Sequence, residues 1–529
     1  MTLVSYALLT EMSLCAQRAV ILFLIRMGAQ VLGRTEDRLN ALGAAAVFIL
    51  LRQPYALWDA SFLVSCVCII SLELIPPALT RIIPSESAVI RALVRPAAMQ
   101  IGTLPVILWF FYQVSPWSFL LHPVLLPFLS ILMAFGLAGS LLAVTGRGSR
   151  ILLSWILPAE AAVLPERASL LAGRMLVSPC RTLIFLLKLL CRAEQKLPLS
   201  VIILGRPRAL QVILYYLMLI LFLAGARKWT MRKNHNRIRS LRMSSAVLLA
   251  ALMVLVSVRI RPHFRYTCLD IGQGSCSLIE EGGTAVLFDA GSSTVDDVWQ
   301  YRIDSTLKYY GIRRLDAVIL SHGDMDHVNG IEQMLAVYRK DLSGNNAADV
   351  TISRILLPDL PQEDERLSGI ARLASQQEIP VGYVSEGCSL QAGALKMDVL
   401  SPSPARITGE PNEDCIVIRL ERPGISILLT GDLEKQGEAM FIASYRDDDR
   451  FRKAEDPEHL TVLVAGHHGS GNATSEDMLD LTDPDLVLIS CGRYNRYGHP
   501  SQEMLQRLRN AGIPWKRTDR DGAVCIEIK

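Results

Sequence analysis

Histidine is scarce in this chain, nine in 529 residues, and acid is scarce in its first half, where 1–262 hold nine Asp and Glu against 27 Lys and Arg. The second half, 263–529, lacks the long apolar blocks of the first and reverses the charge, with 42 acidic against 27 basic residues. Eleven cysteines are scattered without a Cys-x-x-Cys pair, which excludes a zinc knuckle or dithiol redox motif. Cys66 and Cys68 lie in an apolar run, and Cys268, Cys276, Cys415, Cys491 and Cys525 in or beside strand-like runs; all read as packed free thiols. A Ser-His-Asp nucleophile pattern is also missing, so a serine hydrolase has no footing. No cleavable signal peptide is evident, because the apolar signal does not stop after the first segment.

What is present divides at residue 262, with a net +18 before it and −15 after it. A length of 529 residues calls for at least two domains. Apolar blocks at 97–115, 119–144, 210–226 and 244–258 approach or exceed the roughly 20 residues that span a bilayer. Weaker blocks lie at 18–32, 39–51, 57–76 and 169–191, and 151–164 reads as an interfacial segment. A polytopic membrane domain of six to eight helices over 1–262 is expected, followed by a soluble domain over 263–529. Arg227, Lys228, Arg232, Lys233, Arg237, Arg239 and Arg242 form a basic loop before the last block, and basic loops stay in the cytoplasm. The soluble domain is therefore expected on the outer side of the cytoplasmic membrane.

In the soluble half the rare residues gather. Apolar 317–320 reads as a buried strand, and a helix pattern starts at Val328; between them stand His322, Asp324, Asp326 and His327. Two imidazoles and two carboxylates on one strand-to-helix loop converge as a metal site requires. Five of the nine histidines recur at three strand ends: these two, His467 and His468 after 460–465, and His499 after 486–490. Asp432 follows the strand Ile425–Leu429, either as a metal ligand or as the cap of a helix near Glu434. Asp289, ending a strand at 285–288, caps its turn or orients a ligand histidine from behind. Gln273, between Gly272 and Gly274, is placed to donate a hydrogen bond into the site. His499 is a further ligand, a proton donor or a phosphate contact. Sites on loops after strands, alternating with helices such as 501–510, imply one active edge of a sheet-and-helix sandwich, where a metal-activated water attacks a polarised electrophile.

His-x-Asp-x-Asp-His resembles the His-x-His-x-Asp-His signature of the metallo-β-lactamase superfamily, which implies an αββα sandwich. The superfamily's pattern makes Asp432 a bridging aspartate and His468 a ligand. Leu269-Asp270-Ile271-Gly272-Gln273-Gly274, Leu429-Thr430-Gly431-Asp432, Gly466-His467-His468-Gly469-Ser470, Tyr497-Gly498-His499-Pro500 and Thr518-Asp519-Arg520-Asp521-Gly522-Ala523 follow in the order of the ComEC-type DNA internalisation proteins of competence. In the first half Arg18-Ala19, Gly33-Arg34 and Leu39-Asn40-Ala41-Leu42 resemble the competence region of that family. The resemblance implies a channel for single-stranded DNA fused to a phosphodiesterase or nuclease. DNA and the lipid bilayer are its implied partners, with other competence proteins and a second copy of the chain as further expectations.

On this reading His322, Asp324, Asp326, His327, Asp432 and His468 hold one or two divalent ions, Mn or Zn, and Asp326 and His499 act in catalysis. Gln273, His467, Ser470, Asn495 and Arg520 contact substrate, while Asp270 and Asp289 stand behind the ligands. Three departures from the family are visible. A preceding helix pair and small β-barrel have no counterpart here, Asp324 replaces a histidine and favours an oxygen-richer shell, and no histidine lies between His327 and Asp432. A net −15 opposes DNA binding at long range unless a local patch, for which Arg493, Arg496, Lys516, Arg517 and Arg520 are candidates, offsets it. The +18 of the first half lines a DNA path or faces anionic lipid. The alternatives are a channel with a degenerate gating domain and a membrane-anchored hydrolase of another ester.

Overall fold

The computed structural model describes residues 13–528 apart from 36, 83–86, 154–158, 230–234, 260, 338–349, 363 and 452–455. It divides into two compact units, Met1–Val258 and Arg259–Lys529. In the first unit six described segments are long and apolar enough to cross a membrane: Leu14–Val31, Ala60–Thr80, Ala88–Phe111, Ser118–Thr145, Arg167–Gln195 and Ala209–Ala226. Two expected spans fall short. The helix Arg38–Arg52 has 15 residues, about 22 Å of rise against a bilayer core of about 30 Å. The last helix, His235–Ser257, is apolar only over Val247–Ser257. Arg232 and Lys233 of the basic loop, and 154–158 of the expected interfacial segment, lie outside the described residues.

Packing in this unit follows from small residues and satisfied carbonyls. A Cβ on Gly139 would come within 2.4 Å of Val177 Cγ2 and one on Gly173 within 2.8 Å of Gly139 O, so glycine lets these two helices touch backbone to backbone. Pro105, inside Ala88–Phe111, cannot donate to Ile101 O. The Tyr215 hydroxyl donates to it instead at 2.6 Å, and Tyr216 donates to Gly102 O at 3.0 Å. A two-residue ribbon pairs β1 (Gln113–Val114) with β2 (Ile202–Ile203).

The second unit is the αββα sandwich that the superfamily pattern implied. Its strands are β3 (Phe264–Cys268), β4 (Ser277–Glu281), β5 (Thr284–Phe288), β6 (Arg314–Leu315), β7 (Ala317–Ile319), β8 (Thr351–Ile352), β9 (Ile355–Pro358) and β10 (Val381–Val384). They continue with β11 (Ser389–Ala392), β12 (Leu395–Ser401), β13 (Val417–Arg422), β14 (Ile425–Leu429), β15 (Leu460–Val464), β16 (Leu486–Ile489), β17 (Trp515–Arg517) and β18 (Val524–Ile528). One sheet runs β10-β9-β7-β5-β4-β3-β18 and the other β11-β12-β13-β14-β15-β16-β17, each antiparallel on one side and parallel on the other. Side chains alternate across each strand, so Phe264, Tyr266, Val286, Phe288 and Ile319 of one sheet meet Ile418, Leu420, Ile427, Leu429 and Val462 of the other in an apolar core. The outer face of the second sheet carries Val417, Leu463 and Val487 against Phe441, Ile442, Met478, Leu479 and Leu508 of its helices.

The β4–β5 hairpin turns on Gly282 and Gly283, both at positive φ (56° and 96°), as a two-residue turn requires. Cys268, Cys276, Cys415 and Cys491 are buried as expected, but Cys525 is exposed because β18 is an edge strand paired only with β3.

Candidate metal centre

The loops that end β5, β7, β14, β15 and β16 carry every rare residue singled out from the sequence. All five strands take part in parallel pairs, so within each sheet their carboxyl ends open at one edge, where α/β sheets keep their sites. The helix after β7 starts at Met325, three residues before the expected Val328, so Asp326 and His327 stand in its first turn. A carboxylate there faces the positive end of the helix dipole.

Backbone contacts pin that turn. Ser275 N donates to Asp326 O at 3.0 Å and Ala290 N to His327 O at 2.7 Å. Glycine is required opposite: a Cβ on Gly291 would sit 2.4 Å from His327 N, and one on Gly274 would sit 2.7 Å from Asp326 O.

Three imidazoles then meet. Their ring centroids are 4.2 Å apart for His322 and His327, and 5.2 Å apart for His327 and His468. All three are buried, and none of their Nε2 atoms makes a hydrogen bond. Their Nδ1 atoms are all occupied. Asp289, fully buried at positive φ, accepts from Ser321 N at 2.8 Å and from Ser321 Oγ at 3.0 Å, and its Oδ2 lies 2.8 Å from His327 Nδ1. Ser321 Oγ is in turn 2.9 Å from His322 Nδ1, and His468 Nδ1 is 3.1 Å from Ser490 O. A carboxylate and a carbonyl only accept, and the Ser321 hydroxyl gives its proton to Asp289 and so accepts from His322, so each Nδ1 carries a proton and each Nε2 turns its lone pair to the centre. That is how ligand histidines are held in metal sites.

Two carboxylates complete the centre. Asp432 Oδ1 is 3.0 Å from His327 Nε2, and its Oδ2 lies 3.7 Å from His468 Nε2 and 3.5 Å from His467 Nε2. Asp326 Oδ2 is 3.5 Å from His468 Nε2. The groups His322–His327–Asp432 and Asp326–His327–His468 each bring three ligand atoms within 4.8 Å. Burial alone would raise the Asp432 carboxyl, but His327 and His468 beside it hold it well below the usual carboxylate range. Burial alone would lower His327, and Asp432 and Asp289 push it well above the ordinary histidine value. Asp326 is likewise held low, burial being outweighed by His468 and His327. Three unbonded imidazole nitrogens among ionised carboxylates are a donor set that fits a divalent cation.

The remaining candidates sort by position. Asp324 stands at the rim, largely exposed, with Oδ2 3.7 Å from His322 Nε2, outside both three-ligand groups. His467 and His468 both adopt positive φ (45° and 56°), a conformation disfavoured for side-chain-bearing residues, within Gly466–Gly469. His467 Nδ1 lies 2.8 Å from Glu434 Oε1, which also accepts from Ser470 Oγ at 2.7 Å. His499 is half-buried, its Nδ1 without a hydrogen bond, and its ring is 5.4 Å from that of His467. Burial, then His467 and His468, lower its pKa.

Several expected substrate contacts serve the loops instead. Gln273 is buried and its Oε1 accepts from Gly492 N at 3.1 Å. Asn495 Nδ2 donates to Gly492 O and His499 O, each at 2.7 Å, and Asn495 Oδ1 accepts from His499 N at 2.9 Å. Ser470 belongs to the Glu434 network. Asp270 turns to Gly272 N (3.4 Å) and Arg302 (3.6 Å) rather than to the histidines. Within the basic patch, Arg517 pairs with Asp519 at 2.8 Å and Lys516 with Asp521 at 3.5 Å, leaving Arg493, Arg496 and Arg520 exposed. Ser321 and Glu434 were not foreseen as site residues; for Ser321 the available signal was its place directly before His322.

The chain matches the family model "Competence protein" over residues 1–229 and "Metallo-beta-lactamase superfamily" over 269–493. It is 25% identical over 548 residues to ComE operon protein 3 of Bacillus subtilis (strain 168), covering 99% of this chain and 62% of that protein. It is 27% identical over 297 residues to Recombination protein 2 of Haemophilus influenzae, covering 56% of this chain and 33% of that protein. Competence protein ComA of Neisseria gonorrhoeae is 29% identical over 258 residues, 49% of this chain and 31% of that protein. The chain thus spans between about a third and 62% of the length of these relatives.

Proposed function

We propose that this chain, a competence-protein domain joined to a metallo-β-lactamase-superfamily domain, takes part in DNA uptake, conducting a single strand across the cytoplasmic membrane and hydrolysing phosphodiester bonds of incoming DNA on the outer side. The observation that carries the hydrolase half is the set of three buried Nε2 lone pairs aimed at Asp326 and Asp432, with every Nδ1 pinned from behind. His322, His327, His468, Asp326 and Asp432 hold the metal, Mn or Zn, with Asp324 at its rim. Asp432, close to both His327 and His468, would help to hold the metal.

A bound divalent cation supplies Lewis acidity, polarising the phosphoryl group and making water a nucleophile near neutral pH. Asp326 orients the attacking water. His499, at the rim, hands a proton to the leaving oxygen, and His467 and Arg520 face the phosphates. The basic surface of the membrane domain lines the DNA path.

The test is cleavage of labelled single-stranded and duplex DNA by the full chain in lipid nanodiscs with Mn²⁺, Zn²⁺ or Mg²⁺. Cleavage that disappears in Asp326→Ala supports the reading. No cleavage with any metal, or equal cleavage by Asp326→Ala, removes the phosphodiesterase, and DNA uptake surviving that variant in cells would leave the channel alone.

A further inference from the structure

We infer that the loop 493–497, Arg-Tyr-Asn-Arg-Tyr, is a stacking ledge for unpaired bases beside the histidine cluster. The inference rests on the phosphodiesterase reading for its substrate class and adds to it the recognition of single-stranded nucleic acid by this loop. Tyr494 is 88% exposed and Tyr497 50% exposed. Each carries an arginine over its ring: Arg493 Cζ is 5.6 Å from the Tyr494 centroid and Arg496 Cζ 5.4 Å from that of Tyr497. These aromatics contribute little to the core, and the loop that presents them is held closed by the three Asn495 hydrogen bonds. A ledge ordered in advance loses little freedom when it binds.

Its placement gives the strand a direction. The aromatic rings form a continuous row, His322–His327–His468–His467–His499–Tyr497, with successive centroids 4.2, 5.2, 5.9, 5.4 and 5.9 Å apart. Tyr497 extends this row beyond the metal ligands toward solvent. At the opposite end, beside His322, a cavity of about 180 Å³ is lined by Leu360, Pro361, Asp364, Glu410 and Asp414. Carboxylates there repel phosphate, whereas Arg493 and Arg496 attract it, so a polynucleotide at the centre continues over the 493–497 loop. Stacking on an aromatic face is sequence-tolerant and needs a base whose face is free, which a duplex withholds.

The test compares steady-state cleavage by the full chain in nanodiscs with Mn²⁺ among wild type, Tyr494→Ala/Tyr497→Ala and Tyr494→Phe/Tyr497→Phe. The ledge requires KM for a single-stranded oligonucleotide to rise about tenfold or more in the alanine pair, with kcat changing far less, and to return in the phenylalanine pair, which keeps the ring faces. An unchanged KM in the alanine pair, or a phenylalanine pair as weak as the alanine pair, overturns it. If the wild type cuts no DNA with any metal, the phosphodiesterase reading fails by itself, and the ledge is tested without turnover. A single strand carrying 5-iodouracil is then photo-cross-linked to the metal-stripped chain. A cross-link within 493–497 upholds the ledge, and its absence there overturns it.

Discussion

At Asp289 a single carboxylate sets the tautomers of two histidines, His327 directly and His322 through Ser321. Replacing it by alanine leaves buried donors on Ser321 and His327 unmatched and lets both rings turn. Asp289→Ala is expected to weaken metal binding by about 10- to 100-fold, as the loss of such outer partners does elsewhere. Metal titration of the purified chain measures this, and an unchanged affinity would remove Asp289 from the account. Against burial, which would lower it, Asp432 and Asp289 push the His327 value above that of an ordinary histidine, so a cation at its Nε2 competes with a proton. Metal affinity measured by calorimetry at a series of pH values should therefore fall as pH falls. His499 is shifted the other way, by burial and then by His467 and His468. Its protonated form disappears as pH rises through a point below the ordinary value of about 6.5. If it donates the proton, kcat/KM declines over that range; His499→Gln loses about 10²- to 10⁴-fold in kcat and the decline with it. A profile unchanged in the variant would assign the proton to another group.

At the scale of elements, the centre depends on two loops pressed against one helical turn. Gly291 touches the backbone of Asp326 and His327, so Gly291→Ala must push the ligand turn outward. An overpacked contact of this kind destabilises by about 1–3 kcal/mol, and the variant should melt lower and bind less metal; a fully loaded variant of wild-type Tm would contradict the packing described. The strands before the site were legible because apolar runs bounded by glycine and polar residues, such as 317–320 and 460–465, fit buried strands. The start of the helix at Met325 was not, since acid and histidine at its first turn resemble loop ligands. Asn495 and Gln273 looked like substrate contacts because a polar side chain beside glycines offers no sign, in sequence, of the backbone groups it will meet. Those partners, Gly492 and His499, are fixed by the loop's own closure and by the meeting of β3–β4 with the end of β16.

For the whole molecule, the opposed charges of the two halves make orientation testable. The basic half suits an anionic membrane surface, and within the acidic unit Arg493, Arg496 and Arg520 of the candidate patch are exposed to DNA. The candidate ligands stood out by histidine scarcity, strand-end placement and the superfamily resemblance, whereas their convergence required both sheets to pack and so lay beyond any local pattern. With the second unit on the outer face, protease added to right-side-out vesicles should release the region after residue 262; protection until the vesicles are opened would reverse the orientation. The central claim is that the cluster around His327 performs metal-dependent phosphodiester hydrolysis. Its most direct test is the rate of DNA cleavage by the full chain stripped with chelator, then resupplied with Mn²⁺ or Zn²⁺, beside His468→Ala. The account predicts no cleavage when stripped, recovery with metal, and a loss of about 10²-fold or more in His468→Ala even at saturating metal. Cleavage by the stripped chain, or at the wild-type rate by His468→Ala, would contradict it.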